Sequence, residues 1–217
     1  MRDLVIFGTG GFAREACQVV EDVVAAGGRW RMVGFLDGDA SRHGSELRSL
    51  PVLGGAEWAA AHPDVAVVVA VGAPAGRRAV VAGLERLGVT GPDRFPVLVH
   101  PTAWIGNGVT VGEGSVVLAG ARVSTDIELG PFTVLNKNAI VGHDVVLERC
   151  VTVAPGASVS GHVRLREGVD LGANAVVVQG LTVGAGTIVG AGAVVTTDLP
   201  DAVTAVGVPA RVVRRHA

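Results

Sequence analysis

From Val99 to Val195 an aliphatic residue recurs at every sixth position without a break, through Ile105, Val111, Val117, Val123, Leu129, Leu135, Val141, Leu147, Val153, Val159, Leu165, Leu171, Val177, Val183 and Val189. Four residues after most of them stands a small or β-branched residue, among them Ala121, Ile127, Ala139, Val145, Val151 and Ala157, and a glycine often follows the aliphatic residue directly. This register predicts a solenoid, in which each short strand buries its apolar residue by stacking on the coil before and the coil after. No single coil is stable alone. Each inward aliphatic side chain contributes roughly 1.5 to 3 kcal/mol on burial, and chain ordering at roughly 1 to 2 kcal/mol per residue offsets most of that sum.

The first ninety or so residues follow a different pattern. Leu4 to Phe7 reads as a short buried strand, Gly8 to Gly11 as a tight turn, and Phe12 to Val24 as a helix; Met32 to Leu36 is a second strand ending at Asp37. Glu57 to Ala61 reads as a short helix, Val65 to Val71 as a third buried strand and Pro74 to Leu87 as a helix. Strand, helix and strand in this order predict a small parallel α/β sheet of Rossmann-like type. Pro96 to Pro101 leads into the first coil, so two units are expected, residues 1–95 and 96–217, the second with a short C-terminal tail. A chain of 217 residues is long enough for both.

Chemistry is concentrated at two places. Gly8-x-Gly10-x-x-Ala13, between a strand and a helix, is a phosphate-cradling pattern, because glycine lets a ligand approach the backbone and the helix N-terminus carries partial positive charge. Asp37, ending the second strand, could accept hydrogen bonds from a ribose or a base. The unit is too short for a full dinucleotide domain, which argues against NAD, and the same glycines would also serve a purely structural turn. In the solenoid, His143 stands at a corner where Gly, Asn or Asp is expected, and Asp144 follows it. A histidine with near-neutral proton affinity can take a proton from an attacking amine or hydroxyl, and an adjacent carboxylate can fix its tautomer. A corner histidine can equally be structural.

Composition narrows the classes. A formal charge of -2 without a basic tract argues against nucleic acid. The apolar stretches are too short or too interrupted for a signal peptide or a membrane span. Cys17 and Cys150 lie far apart without metal or redox spacing, as core thiols of a cytoplasmic protein would.

The segments Gly8-Thr9-Gly10-Gly11-Phe12-Ala13-Arg14-Glu15, Phe35-Leu36-Asp37, His100-Pro101-Thr102-Ala103, Ile140-Val141-Gly142-His143-Asp144, Ala154-Pro155-Gly156-Ala157 and Gly207-Val208-Pro209-Ala210 occur in that order. Together they resemble the hexapeptide-repeat sugar acyltransferases, which include sialic acid O-acetyltransferases and bacillosamine-pathway UDP-amino-sugar N-acetyltransferases. The resemblance covers nearly the whole chain. It implies a left-handed parallel β-helix of triangular section with three hexapeptides per turn. On that period Asp126, Asp144, His162 and Asp198 share one corner, with His162 a coil above Asp144. It further implies a homotrimer, with acetyl-CoA as co-substrate in the groove between adjacent β-helices and an acceptor sugar reaching the same groove from the N-terminal domain. His143 would be the general base and Asp144 its support, with no covalent intermediate and no metal. Gly8, Gly10, Gly11 and Asp37 would hold the nucleotide part of a nucleotide-sugar, while Asn136 would orient the acceptor or simply stabilise its turn. Arg211, Arg214 and Arg215 in the tail would lie beside CoA or form a solvated cap.

Two departures bear on the substrate. Relatives often carry a second histidine nine residues after the first, where this chain has Thr152, and Gly-His-Gly where it has Gly11-Phe12-Ala13. An amine acceptor on a nucleotide handle is the favoured expectation, with a sugar hydroxyl as the close alternative. A γ-type carbonic anhydrase would need three zinc-binding histidines. Only His143 and His162 are placed to contribute, and Glu148 stands where another would be required. A non-enzymatic trimeric scaffold is the remaining reading.

Overall fold

The central strand of the N-terminal sheet, β1 (Arg2–Phe7), is apolar along its inner length because both of its faces are covered. Its residues Leu4 to Phe7 are all buried. The computed structural model describes residues 1–216. After β1 come α1 (Gly11–Ala25), β2 (Trp30–Leu36), β3 (Glu46–Leu47), β4 (Leu50–Gly54), α2 (Ala56–Ala61), β5 (Ala66–Val69) and α3 (Pro74–Arg86). The sheet order is β3-β4-β2-β1-β5, parallel throughout except for the β3–β4 hairpin. Helix α1 buries Ala13, Ala16, Cys17, Val19 and Val20, one stripe at helical spacing. The expected strands and helices are present with ends shifted by a few residues. The β3–β4 hairpin lies in a stretch, between Asp37 and Glu57, to which the sequence pattern assigned no element, and pairing with β2 is what makes β4 a strand.

From Leu98 onward two-residue strands alternate with turns and stack into three parallel sheets. Partners lie eighteen residues apart, as in Arg122↔Ile140 and Val123↔Val141. The second residue of each strand points inward: every one from Val117 to Val195 is buried, and the ladder forms one continuous core. Val99, Ile105 and Val111 in the first coil are only partly buried, since no coil lies below them. The far end is closed by an antiparallel hairpin of Val203–Val206 and Arg211–Arg215, which serves as a cap of the kind solenoid ends require. Arg211, Arg214 and Arg215 are exposed on this hairpin.

One of the three faces, running from Leu98–Val99 through Val116–Val117 and Val134–Leu135 to Ile188–Val189, carries the N-terminal domain. Leu98, Val116, Leu118 and Val134 share a core with Ala13, Cys17 and Val20 of α1. Phe132 meets Phe95 edge-on at 5.0 Å between centroids.

Arg77 of α3 locks the two units together. Its side chain is fully buried, and its guanidinium donates to Val71 O at 2.8 Å and Gly72 O at 2.9 Å in its own domain. Across the junction it donates to Phe132 O and Cys150 O, each at 2.9 Å, and to Thr152 Oγ1 at 2.8 Å. Burial pulls its proton affinity below the ordinary arginine value, and the nearby Cys150 and Asp170 oppose that shift. Among the described residues no helix is long and apolar enough to cross a membrane.

Candidate active site

The corner that follows Ile140–Val141 is opposite the domain-bearing face, because it joins the other two sheets. Asp144 takes the left-handed turn position at φ 57°, and Asp126 and His162 occupy the same position one coil below and one coil above, at φ 57° and 58°. Each corner is tied to the next by backbone, His162 N donating to His143 O at 2.9 Å. The expected eighteen-residue stacking is present for Asp126, Asp144 and His162, but Asp198 departs from it: it accepts from Thr182 N, sixteen residues away, at 2.8 Å, and Leu199 bridges Val183, because the last coil is shortened before the C-terminal hairpin.

On that frame His143 Nδ1 lies 2.7 Å from Asp144 Oδ2. An ionised carboxylate only accepts, so the bond selects the tautomer with hydrogen on Nδ1 and leaves the Nε2 lone pair free. Both side chains are about half exposed, at 50% and 48%, so Nε2 can be reached from solvent. The His162 ring meets that of His143 edge-on, 5.0 Å between centroids and 87° between planes. Its Nε2 lies 3.7 Å from the same Asp144 oxygen.

Gly161 supplies the seat of the imidazole. A Cβ at that position would fall 2.6 Å from His143 Cε1 and 2.7 Å from Nε2. Gly161→Ala is therefore expected to displace the ring without strain in the backbone and to lower turnover about 100-fold, the usual consequence of a shift of about 1 Å in a reacting group. Steady-state kinetics beside a thermal midpoint check this; undiminished turnover would mean that the ring has another productive seat.

The second place is a cleft of about 620 Å³ at the C-terminal ends of β1 and β2, lined by Gly8, Thr9, Gly10, Gly11, Phe12, Asp37, Arg42 and the Ala70–Gly72 segment. Gly8 has φ 125°, and a Cβ there would approach Ala70 O to 2.8 Å, so the turn requires glycine. The N-terminus of α1 has no side-chain cap, which leaves its first N–H groups available to an anion. Asp37 is 18% exposed, and both of its oxygens have partners: Oδ1 accepts from Asp39 N at 2.9 Å, Oδ2 from the Thr9 hydroxyl. Arg42 donates to Thr9 Oγ1 at 2.5 Å and has a nitrogen 3.9 Å from Asp37 Oδ2.

The residues singled out from sequence thus fall into separate groups. Gly8, Gly10, Gly11 and Asp37 gather in the cleft; His143, Asp144 and His162 gather on the far corner. Asn136 lies on another edge, beside α1, where its Oδ1 accepts from Lys137 N at 2.8 Å and Lys137 pairs with Glu15 at 2.6 Å. Within one chain it is not brought to His143. Thr152 is buried under Gly72 and Arg77, not beside His143. Cys17 and Cys150 are buried and free, and burial pushes the Cys17 thiol up to about 11. Thr9, Arg42 and Arg77 were missed. The Asp39-x-Ser41 turn, in which Asp39 accepts from Ser41 N at 3.0 Å, is a local signal that could have marked the Arg42 segment. Arg77 has no such signal, since its partners across the junction lie 55 to 75 residues away.

A three-faced parallel β-helix with a histidine–carboxylate pair on an exposed corner, carrying an α/β domain with a phosphate-type cleft, defines the class of left-handed β-helix acyltransferases. Comparison with known proteins narrows the class. The PglD N-terminal domain family matches residues 3–84. Perosamine N-acetyltransferase from Caulobacter crescentus, solved with CoA and GDP-perosamine in a variant with one histidine replaced by asparagine, is 32% identical; the match covers 97% of this chain and 96% of that one, with a TM-score of 0.85. The acetyltransferase domain of PglB from Neisseria gonorrhoeae FA1090 is 33% identical over 98% of this chain and all of that one, with a TM-score of 0.84. GDP-perosamine N-acetyltransferase of Escherichia coli O157:H7 is 34% identical over 121 residues, 54% of this chain and 55% of that protein. The chain spans about half the length of the curated relatives it matches. It belongs to the PglD-like family of hexapeptide-repeat acetyltransferases.

Proposed function

We propose that this protein transfers an acetyl group from acetyl-CoA to the amine of a nucleotide-linked amino sugar. The observation that carries the reading is the His143–Asp144 pair, with Nδ1 engaged by the carboxylate at 2.7 Å and Nε2 open on an exposed corner. The acceptor nitrogen attacks the thioester carbonyl carbon, its proton passes to His143 Nε2, and the carbon–sulfur bond breaks to release CoA. Asp144 stabilises the imidazolium that forms. Relatives solved with CoA and GDP-perosamine, and with acetyl coenzyme A, support both substrate classes.

The cleft takes the nucleotide: the uncapped α1 N-terminus and Arg42 face its phosphates, and Asp37 has lone pairs left for ribose or base. Because the cleft adjoins the domain-bearing face and His143 lies on the opposite edge, one chain alone does not join them. A homotrimer does, if the nucleotide-sugar held by one chain reaches His143 of its neighbour, with Asn136 contributed from the edge beside α1. Trp104 and Ile140, exposed at 53% and 47% on the face leading to His143, are apolar surface for such a neighbour to cover. Two buried free thiols suit the reducing cytoplasm.

The decisive test is incubation with acetyl-CoA and a panel of UDP-, dTDP- and GDP-linked amino sugars beside free sialic acid, following CoA release and product mass. One acetyl group gained on an amino sugar is expected; acetylation of sialic acid alone would overturn the choice of acceptor. Asp37→Ala is expected to raise the acceptor KM about tenfold, the worth of one hydrogen bond of about 1.4 kcal/mol, with the KM for acetyl-CoA unchanged. Equal effects on both substrates would mean that the cleft does not hold the acceptor.

A further inference from the structure

We propose that His143, Asp144 and His162 form a zinc site that switches the histidine base off. One oxygen, Asp144 Oδ2, lies 2.7 Å from His143 Nδ1 and 3.7 Å from His162 Nε2, and one ligand atom from each residue lies within 4.8 Å of the others. Tetrahedral zinc with bonds of about 2.0 to 2.2 Å holds its ligand atoms roughly 3.3 Å apart, so small side-chain adjustments bring all three into place. Two imidazoles and a carboxylate form a borderline nitrogen-rich set that selects Zn²⁺ over Mg²⁺ or Ca²⁺. The site is half open, with His162 55% exposed, which leaves room for water to complete the coordination.

Elsewhere in the solenoid the same left-handed position is filled by asparagines, Asn138 at φ 57° and Asn174 at 56°, and also by Phe132 at 57° and Cys150 at 58°. Among the described residues the His162 ring makes no side-chain hydrogen bond. What the ring does have is the shared Asp144 oxygen and the edge of His143.

The consequence follows from tautomer chemistry and rests on the reading of His143 as base. A metal bound through Nδ1 takes the place of the Nδ1 proton, and the neutral imidazole then carries its hydrogen on Nε2. That nitrogen has no lone pair for the acceptor proton. Zinc therefore abolishes proton abstraction without occupying either substrate position, so kcat falls while both KM values stay.

The test titrates zinc chloride into chelator-treated full-length protein by calorimetry, with His162→Asn as the comparison, because asparagine is at home at this φ and the corner keeps its fold. The wild type is expected to bind one zinc per chain and to lose turnover in step with occupancy. His162→Asn is expected to bind more than about tenfold more weakly, since loss of even an outer-shell partner costs a metal centre about tenfold or more, and to lose a smaller fraction of its own zinc-free turnover at a given zinc concentration. No binding by the wild type, or equal binding by His162→Asn, overturns the site; binding with turnover intact overturns the switch. Near-wild-type turnover of His143→Ala in zinc-free buffer overturns the base assignment instead, and the calorimetric result stands apart from it.

Discussion

His143→Ala lowers turnover by about 10² to 10⁴-fold, the usual worth of a positioned general base, and leaves the fold intact. The side chain is half exposed and, among the described residues, its only polar tie is to the neighbouring Asp144, so its loss opens no cavity and strands no buried group. Stability is expected to change by no more than about 0.5 kcal/mol. On the mechanism proposed above the base acts on the proton that moves as the amine attacks, so kcat and kcat/KM are expected to fall together, with little change in either KM. Stopped-time assays of CoA release over a range of both substrates, beside a thermal melt, check this. Turnover within a few-fold of wild type would sink the assignment of His143.

Arg77→Met is the second large effect, and it falls on stability. The guanidinium satisfies the carbonyls of Val71, Gly72, Phe132 and Cys150 and the hydroxyl of Thr152, in a junction where Arg77 itself has no exposed surface. Methionine fills much of the volume but donates nothing. Each buried acceptor left without a donor costs about 1 to 3 kcal/mol, and partial relaxation brings the expected loss to roughly 3 to 5 kcal/mol. Urea unfolding measures it. A loss below about 1 kcal/mol would mean that water replaces the guanidinium at little cost. The same substitution frees the Val71–Gly72 segment that lines the cleft, so acceptor affinity is expected to fall in whatever fraction remains folded.

The solenoid was legible because its physics is local and periodic. An inward aliphatic every six residues leaves one way to bury them all, and the eighteen-residue stacking then puts Asp126, Asp144 and His162 on one corner by arithmetic. The histidine–carboxylate pair was legible for the same reason: adjacent residues at a turn of known position must project together. The Gly8 turn announced itself through the conformation that only glycine adopts freely, confirmed at φ 125°.

What sequence left open depended on long-range partners. β4, in a stretch whose own pattern assigned no element, became a strand through pairing with β2. Arg77 reads in the chain as one more arginine on a helix; burial against carbonyls from two domains makes it the junction's keystone. Arg42 and Thr9 joined Asp37 only when the segment after β2 folded back over the cleft. Most consequential, the docking of the N-terminal domain on one face of the prism separated the cleft from the His143 corner and put Asn136 on another edge again. Sequence alone determined the repeat, the order of α/β elements before solenoid, and the adjacency of His143 and Asp144 at a corner, because each is written in spacing along the chain. Tertiary structure decided which faces those groups look out from, because that is set by how two separately folded cores bury their remaining apolar surface against each other.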